Sequence, residues 1–229
     1  MKKILLLCLG FCCFATNVSA ASFEYAVRQC KDRMQKNPPK IEIAYNYGAL
    51  KLDNTKTSEG IEEVFKSTHP NVKVKRINGL TTLSPYAQLE SSIQSESVNN
   101  RICYYPRNIR INIGYKPVVY IASDISKAGC RFILTVRHEQ THLDIGHLSL
   151  ELFVRRLKED FPHLISEIGP VVKTRSEEIP IDEMSKQMNT TYHNHLKILF
   201  DDFVQKLLAQ NAHIDTDENY QKESELCSD

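Results

Sequence analysis

The chain has 229 residues, 41% of them hydrophobic and 25% charged, and its 29 basic and 28 acidic side chains leave a formal net charge of +1. So even a balance excludes binding of nucleic acid through bulk charge, and Lys73, Lys75 and Arg76 interleave with valines as the solvated face of a strand would. The length suits one domain with a sizeable core.

Met1-Lys2-Lys3 precedes an apolar run from Ile4 to Phe14, and Val18-Ser19-Ala20 follows it. A positive start, a short apolar core and small residues at a cleavage site predict a secretory signal peptide over residues 1–20, too short for a comfortable membrane span. The mature chain is then residues 21–229, a single domain without a membrane span, exported to a bacterial periplasm or beyond. Loss of Lys2 and Lys3 moves the formal charge by two, from +1 to −1. Cys8, Cys12 and Cys13 go with the leader, whose surroundings do not make a lipoprotein site. Cys30, Cys103, Cys130 and Cys227 remain, and an even count in an exported chain predicts disulfides. Of three possible connectivities, Cys103 with Cys130 is favoured because the two flank a predicted hairpin, which leaves Cys30 with Cys227. Such a bridge contributes about 3 kcal/mol.

A short helix is predicted over 22–36, ended by Asn37-Pro38-Pro39. Strands follow over 41–45, 47–52 and 72–77, with a helix over 58–65 capped by Ser58. Residues 84–100 are polar and rich in Ser and Asn, which predicts an exposed loop. A second strand group covers 102–105, 109–113 and 118–122, punctuated by Pro106 and Pro117. Ile109, Ile111 and Ile113 share one strand face, as in a half-buried antiparallel sheet. Val118 to Ala122 are apolar on both faces and belong deeper. Helical periodicity then runs over about 126–159, with cations Arg155, Arg156 and Lys158 suiting the negative end of a helix dipole. Turns at Gly169-Pro170 and Ile179-Pro180 lead to a helix over 182–212. Its stripe of Met184, Met188, Tyr192, Leu199, Phe203 and Leu207 should pack against the preceding helix. From Thr216 the tail is polar until Leu226 and Cys227. The pattern predicts an α+β fold, a small antiparallel or mixed sheet packed on two long helices.

The first of those helices carries His138-Glu139-Gln140-Thr141-His142. At 3.6 residues per turn the two histidines stand one above the other and can grip one metal ion, zinc by the chemistry of this motif. Glu139, beside that face, is the expected general base that takes a proton from water and carries it to a leaving amine. The expected partner is thus a peptide or protein substrate; nothing in the sequence speaks to oligomeric state.

A catalytic zinc needs a third protein ligand. His147 lies nine residues after His138, a rotation of about 900° that points it to the opposite side of an unbroken helix. His195 lies near the edge of the second helix's apolar stripe, and Glu151, Glu159 and His163 are further possibilities. The segment containing His213, Asp215 and Glu218 concentrates ligand-type side chains where the second helix should finish. Tyr220 and His195 are the candidate donors to an oxyanion.

Cys103, the apolar strand Val118 to Ala122, Cys130, the His138/His142 motif and the helix ending in Ile214-Asp215 together resemble a family of small bacterial exported proteins regarded as zinc-dependent proteases, of otherwise unknown function. The likeness spans roughly residues 100–220. It implies a zincin-like fold, zinc on His138 and His142, and Glu139 as general base. Where that family has a Tyr-Asp pair this chain has Ile214-Asp215, and the His-Gly that often follows is absent. By analogy with zincin-type peptidases, the strand Val118 to Ala122 would present its backbone to an extended substrate. The rival reading is a non-catalytic envelope or secreted binding protein that retains the scaffold.

Overall fold

The computed structural model describes residues 12–68 and 77–227, with side chains over 22–67 and 77–227. Its elements run α1 (Cys12–Lys36), β1 (Lys40–Asn46), β2 (Lys51–Asp53), α2 (Ser58–Thr68), β3 (Gly79–Thr82), β4 (Pro85–Val98), β5 (Arg101–Tyr115), β6 (Val118–Ile121), α3 (Cys130–Ile168), β7 (Val171–Thr174), α4 (Ile181–Ala212) and α5 (Asp217–Glu225). The architecture is α+β. The strand expected over 72–77 lies almost wholly outside the described residues. Contacts divide the chain into two compact units, one of residues up to 42, 89–110 and 160–192, the other of 43–88, 111–159 and 193–229. The long elements β4, β5, α3 and α4 contribute residues to both.

In the first unit, Ala26, Cys30 and Met34 recur every four residues on α1 and are all buried. Cys30 and Met34 pack with Val98, Cys103 and Tyr105, and Val172 of β7 closes over them. β7 runs antiparallel to β5, from Arg101 opposite Thr174 to Tyr104 opposite Val171. The Tyr104 hydroxyl donates to the Ile179 carbonyl at 2.8 Å and accepts from the Ile179 amide at 3.2 Å, so this buried phenol is fully partnered.

Residues 84–100 are not the expected loop. They form β4, hydrogen-bonded to β5 in a sheet of order β1-β5-β4, with β7 also on β5. Gln88, Glu90, Ser92, Ser95 and Ser97 are exposed while Leu89 and Val98 are buried, so polarity here marks the solvated positions of a strand. Asn99 and Asn100, with φ of 45° and 62°, make the two-residue turn that joins it to β5. Nor does Pro106 divide β5, which is one strand of 15 residues. The proline falls just past the ladder with β7 and leaves that pairing intact.

That continuity also overturns the expected disulfides. The bridges are Cys30–Cys103 and Cys130–Cys227. Cys103 sits near the start of an uninterrupted strand, so no hairpin returns the chain to it before Cys130. It faces α1 instead, and Cys130, the first residue of α3, is free to hold the C-terminal segment. Among the described residues no helix is long and apolar enough to cross a membrane.

The second unit contains a three-stranded sheet of order β2-β6-β3. β2 pairs with β6 in parallel and β3 pairs with it antiparallel, Gly79 opposite Ile121. The segment Val118 to Ala122 is therefore central, with backbone bonds on both sides, and cannot be the open edge expected of a substrate-binding strand. Thr57, not Ser58, caps α2, accepting from the Gly60 amide at 3.3 Å, while the Ser58 hydroxyl donates to Asp124 at 2.9 Å. Leu143 of α3 packs on Val119 and Ile121, with Leu83, Ile125 and Phe132 around them.

α3 and α4 lie antiparallel in this unit: Ser149 donates to Gln210 at 2.6 Å, the rings of Phe153 and Phe203 stack at 4.6 Å, and Arg156 meets Asp202 at 3.4 Å. The stripe expected on α4 is buried at Met184, Met188, Tyr192, Phe203 and Leu207, joined by Leu196. The polar tail is not formless, for α5 begins at Asp217 with Thr216 accepting from the Asn219 amide.

The Asn99-Asn100 turn can be tested directly. Asn100→Val should cost about 1–2 kcal/mol, the penalty for a left-handed β-branched residue, whereas Asn100→Gly should leave the urea midpoint unchanged or higher. Equal midpoints for the two variants would rule out the turn as described.

Candidate metal centre

Between Cys130 and Ile145 the sequence has neither Gly nor Pro, and the segment is continuous α-helix. His138 and His142, one turn apart, are buried on the side of α3 that meets the end of α4. After Ala212 the chain turns, with the His213 amide on the Gln210 carbonyl and the Ile214 amide on that of Asn211, and Asp215 is carried back over the histidines. His138 Nε2 and His142 Nε2 lie 3.0 and 3.1 Å from Asp215 Oδ1, and 3.2 Å from each other. Three donors on a tetrahedral zinc at about 2.0–2.1 Å would stand about 3.3 Å apart. The triangle therefore has the size that such an ion needs, and these three residues form a group that could hold a metal ion.

The other ring nitrogens decide which way the lone pairs point. His138 Nδ1 faces Glu223 Oε1 at 3.1 Å, and His142 Nδ1 faces Asn211 Oδ1 at 2.6 Å. Asn211 uses its amide nitrogen on the Leu207 carbonyl, so its oxygen is the acceptor turned to His142. Both Nδ1 atoms thus carry hydrogen and donate, which leaves both Nε2 atoms available for a cation. Two imidazole nitrogens cannot face each other and one carboxylate oxygen at this range without positive charge among them. In the metal-free protein a proton supplies it: burial opposes charge on His138, but its bonds to Asp215 and Glu223 prevail and push its pKa up to about 9. His142 is raised for the same reasons, with Asp215 as its main support. Burial pushes the Asp215 carboxyl up, yet the bonds from His138 and His142 hold it well below the usual carboxylate range.

Glu139 points another way, toward the sheet. Only 4% exposed, it accepts from the Thr81 hydroxyl at 2.7 Å. Gly79, also on β3, allows this approach, because a Cβ there would stand 2.5 Å from Glu139 Oε1 and 2.8 Å from its Cγ. Burial raises the Glu139 pKa, against the charges of His142 and His138 and the Thr81 bond. A buried carboxylate beside imidazoles is chemically suited to carry protons.

Of the proposed third ligands only Asp215 joins the group. His147 packs against the rings of Tyr47, at 4.3 Å, and Tyr115, at 6.0 Å. His213 is exposed and Glu218 pairs with Lys222 at 2.6 Å. Glu151 accepts from Tyr47, and neither His195, Glu159 nor His163 is among the three donors. Of the two suggested oxyanion donors, Tyr220 stands at the centre, its ring 5.0 Å from that of His138 and its hydroxyl donating to Asp215 at 2.9 Å. Thr81, Asn211 and Glu223 carried no signal in the sequence, since each matters through a neighbour remote along the chain. The chain matches no protein-family model, no curated protein and no solved structure.

A pH dependence follows for metal-free protein. Because the folded His138 pKa of about 9 exceeds the ordinary imidazole value of 6.5, its contribution is fully present below about pH 6.5 and lost as pH rises through about 9. Urea midpoints of chelator-treated protein should fall between pH 6 and pH 9.5, and less so in Glu223→Gln. A flat profile would exclude the protonated bridge.

Proposed function

We propose that the protein is an exported zinc-dependent metallopeptidase with a zincin-like arrangement, in which His138, His142 and Asp215 hold the ion. The observation that carries this reading is the buried Glu139 placed beside three donors spaced for a tetrahedral cation. Two imidazoles and one carboxylate are a donor set typical of catalytic zinc. The two disulfides favour an oxidising compartment, periplasmic or extracellular.

Zinc, when held there, supplies Lewis acidity to a water and to a peptide carbonyl. Glu139 would accept the proton of the attacking water and return it to the leaving amine, and burial raises its pKa, which favours the return step. Thr81 holds the carboxylate in place through Oε2, while Oε1 lies against Gly79. Glu223 and Asn211 keep the imidazoles in the tautomer that binds metal. Among the described residues one edge of β3 is paired with β6 and the other carries no strand; this edge, beside Glu139, would offer backbone groups to an extended peptide.

Glu139→Gln should lower peptide hydrolysis by about 10²–10⁴-fold while one equivalent of zinc is still bound, by elemental analysis. Asp215→Ala and His142→Ala should lose the zinc as well as the activity. Zinc-loaded wild type with no turnover on any peptide library would instead favour a non-catalytic binding protein.

A further inference from the structure

Tyr220 Oη lies 2.9 Å from Asp215 Oδ1 and 3.4 Å from His138 Nε2. With the 3.0, 3.1 and 3.2 Å separations within the triangle, five of the six edges of a four-donor tetrahedron fall close to the value of about 3.3 Å expected around zinc. The phenol oxygen thus stands within donor spacing of two corners of the triangle, Asp215 and His138.

Tyr220 belongs to α5, nine residues long and with none of them buried. So short and polar a helix is not stable alone. It is tied at both ends: Thr216 caps it directly after Asp215, and Cys227, just past its end, is bridged to Cys130 at the start of α3. Tyr220 and Glu223, three residues apart on one face of α5, both engage His138.

Building on the metal-site reading above, we infer that Tyr220 is the fourth donor of the centre and that α5 is a strap, locked by Cys130–Cys227, which keeps the centre closed. With a cation held there, the phenol would give up to solvent the proton it now shares with Asp215, and its oxygen would serve as the donor. A closed set of four protein donors leaves no position for substrate, so hydrolysis requires the strap to swing away. A dithiol reductant could open it by exchange, two thiols of the reductant becoming its disulfide as Cys130 and Cys227 become thiols.

Oxidised, metal-free protein loaded with one equivalent of copper(II) tests the assignment without reference to activity. Wild type should show a visible tyrosinate-to-copper charge-transfer band that is absent from Tyr220→Phe, a variant that keeps the ring on His138. In the double variant Cys130→Ser/Cys227→Ser the band should weaken and the zinc dissociation constant rise about 10–100-fold, as on losing outer-shell support. No band in wild type, or a band that survives in Tyr220→Phe, overturns the fourth donor whether or not the variants are stable. An unchanged zinc affinity in the double serine variant overturns the lock. Hydrolysis is scored separately: a band without turnover in any protein removes the peptidase reading and keeps the four-donor centre, whereas turnover by wild type without a band does the reverse.

Discussion

Ser149 with Gln210, Phe153 with Phe203 and Arg156 with Asp202 set the register of α4 against α3, and through it the position of everything that follows α4. Because the helices run antiparallel, the last turn of α4 arrives beside His142, where Asn211 orients one imidazole. The turn after Ala212 then places Asp215 over both. A slip of one residue along this seam would rotate Asn211 by about 100° and take its oxygen from His142. Apolar packing thus acts on the chemistry from a distance: the phenylalanines touch no donor atom, yet they decide where the donors lie.

The centre concentrates charge that a protein interior normally resists. Glu139, His138 and His142 are all buried, with Asp215 and Glu223 alongside. Unpaired charge on any of the three buried groups would be strongly destabilising. Here each has a partner, and the partners are divided by function. Nδ1 atoms are held from outside by Glu223 and Asn211, Nε2 atoms converge on Asp215, and Glu139 is held separately by Thr81. That separation suits the proposed division between a group that holds a cation and a group that moves protons. The absence of a Cβ at Gly79 is part of the same arrangement, for it lets the carboxylate sit against the edge strand.

Local patterns in the chain translated well into structure where the interaction is local. The i, i+4 spacing of His138 and His142 and the long apolar stripe from Met184 to Leu207 both follow from one helical repeat, and the α+β class follows from the alternation of strand and helix periodicity. Expectations failed where one residue type serves two roles. Serine and glutamate in β4 mark a solvated strand face as readily as a loop, and only the ladder with β5 distinguishes them. Pro106 reads as a break, but its cost depends on which neighbour its missing N–H would have met. Cysteine pairing went astray for the same reason, since β5 continues where a hairpin was expected.

On its own, the sequence determined the two histidines, the adjacent glutamate, the helix that aligns them and the even set of cysteines available for bridging, because each depends on backbone geometry within a few residues. Only the tertiary structure selected Asp215 from its neighbours His213 and Glu218, brought Thr81 to Glu139 and Glu223 to His138, and joined Cys130 to Cys227 so that α5 lies across the centre. These contacts link residues 58 to 97 positions apart, and the helix register, strand continuity and disulfide geometry that close such distances are properties of packed elements.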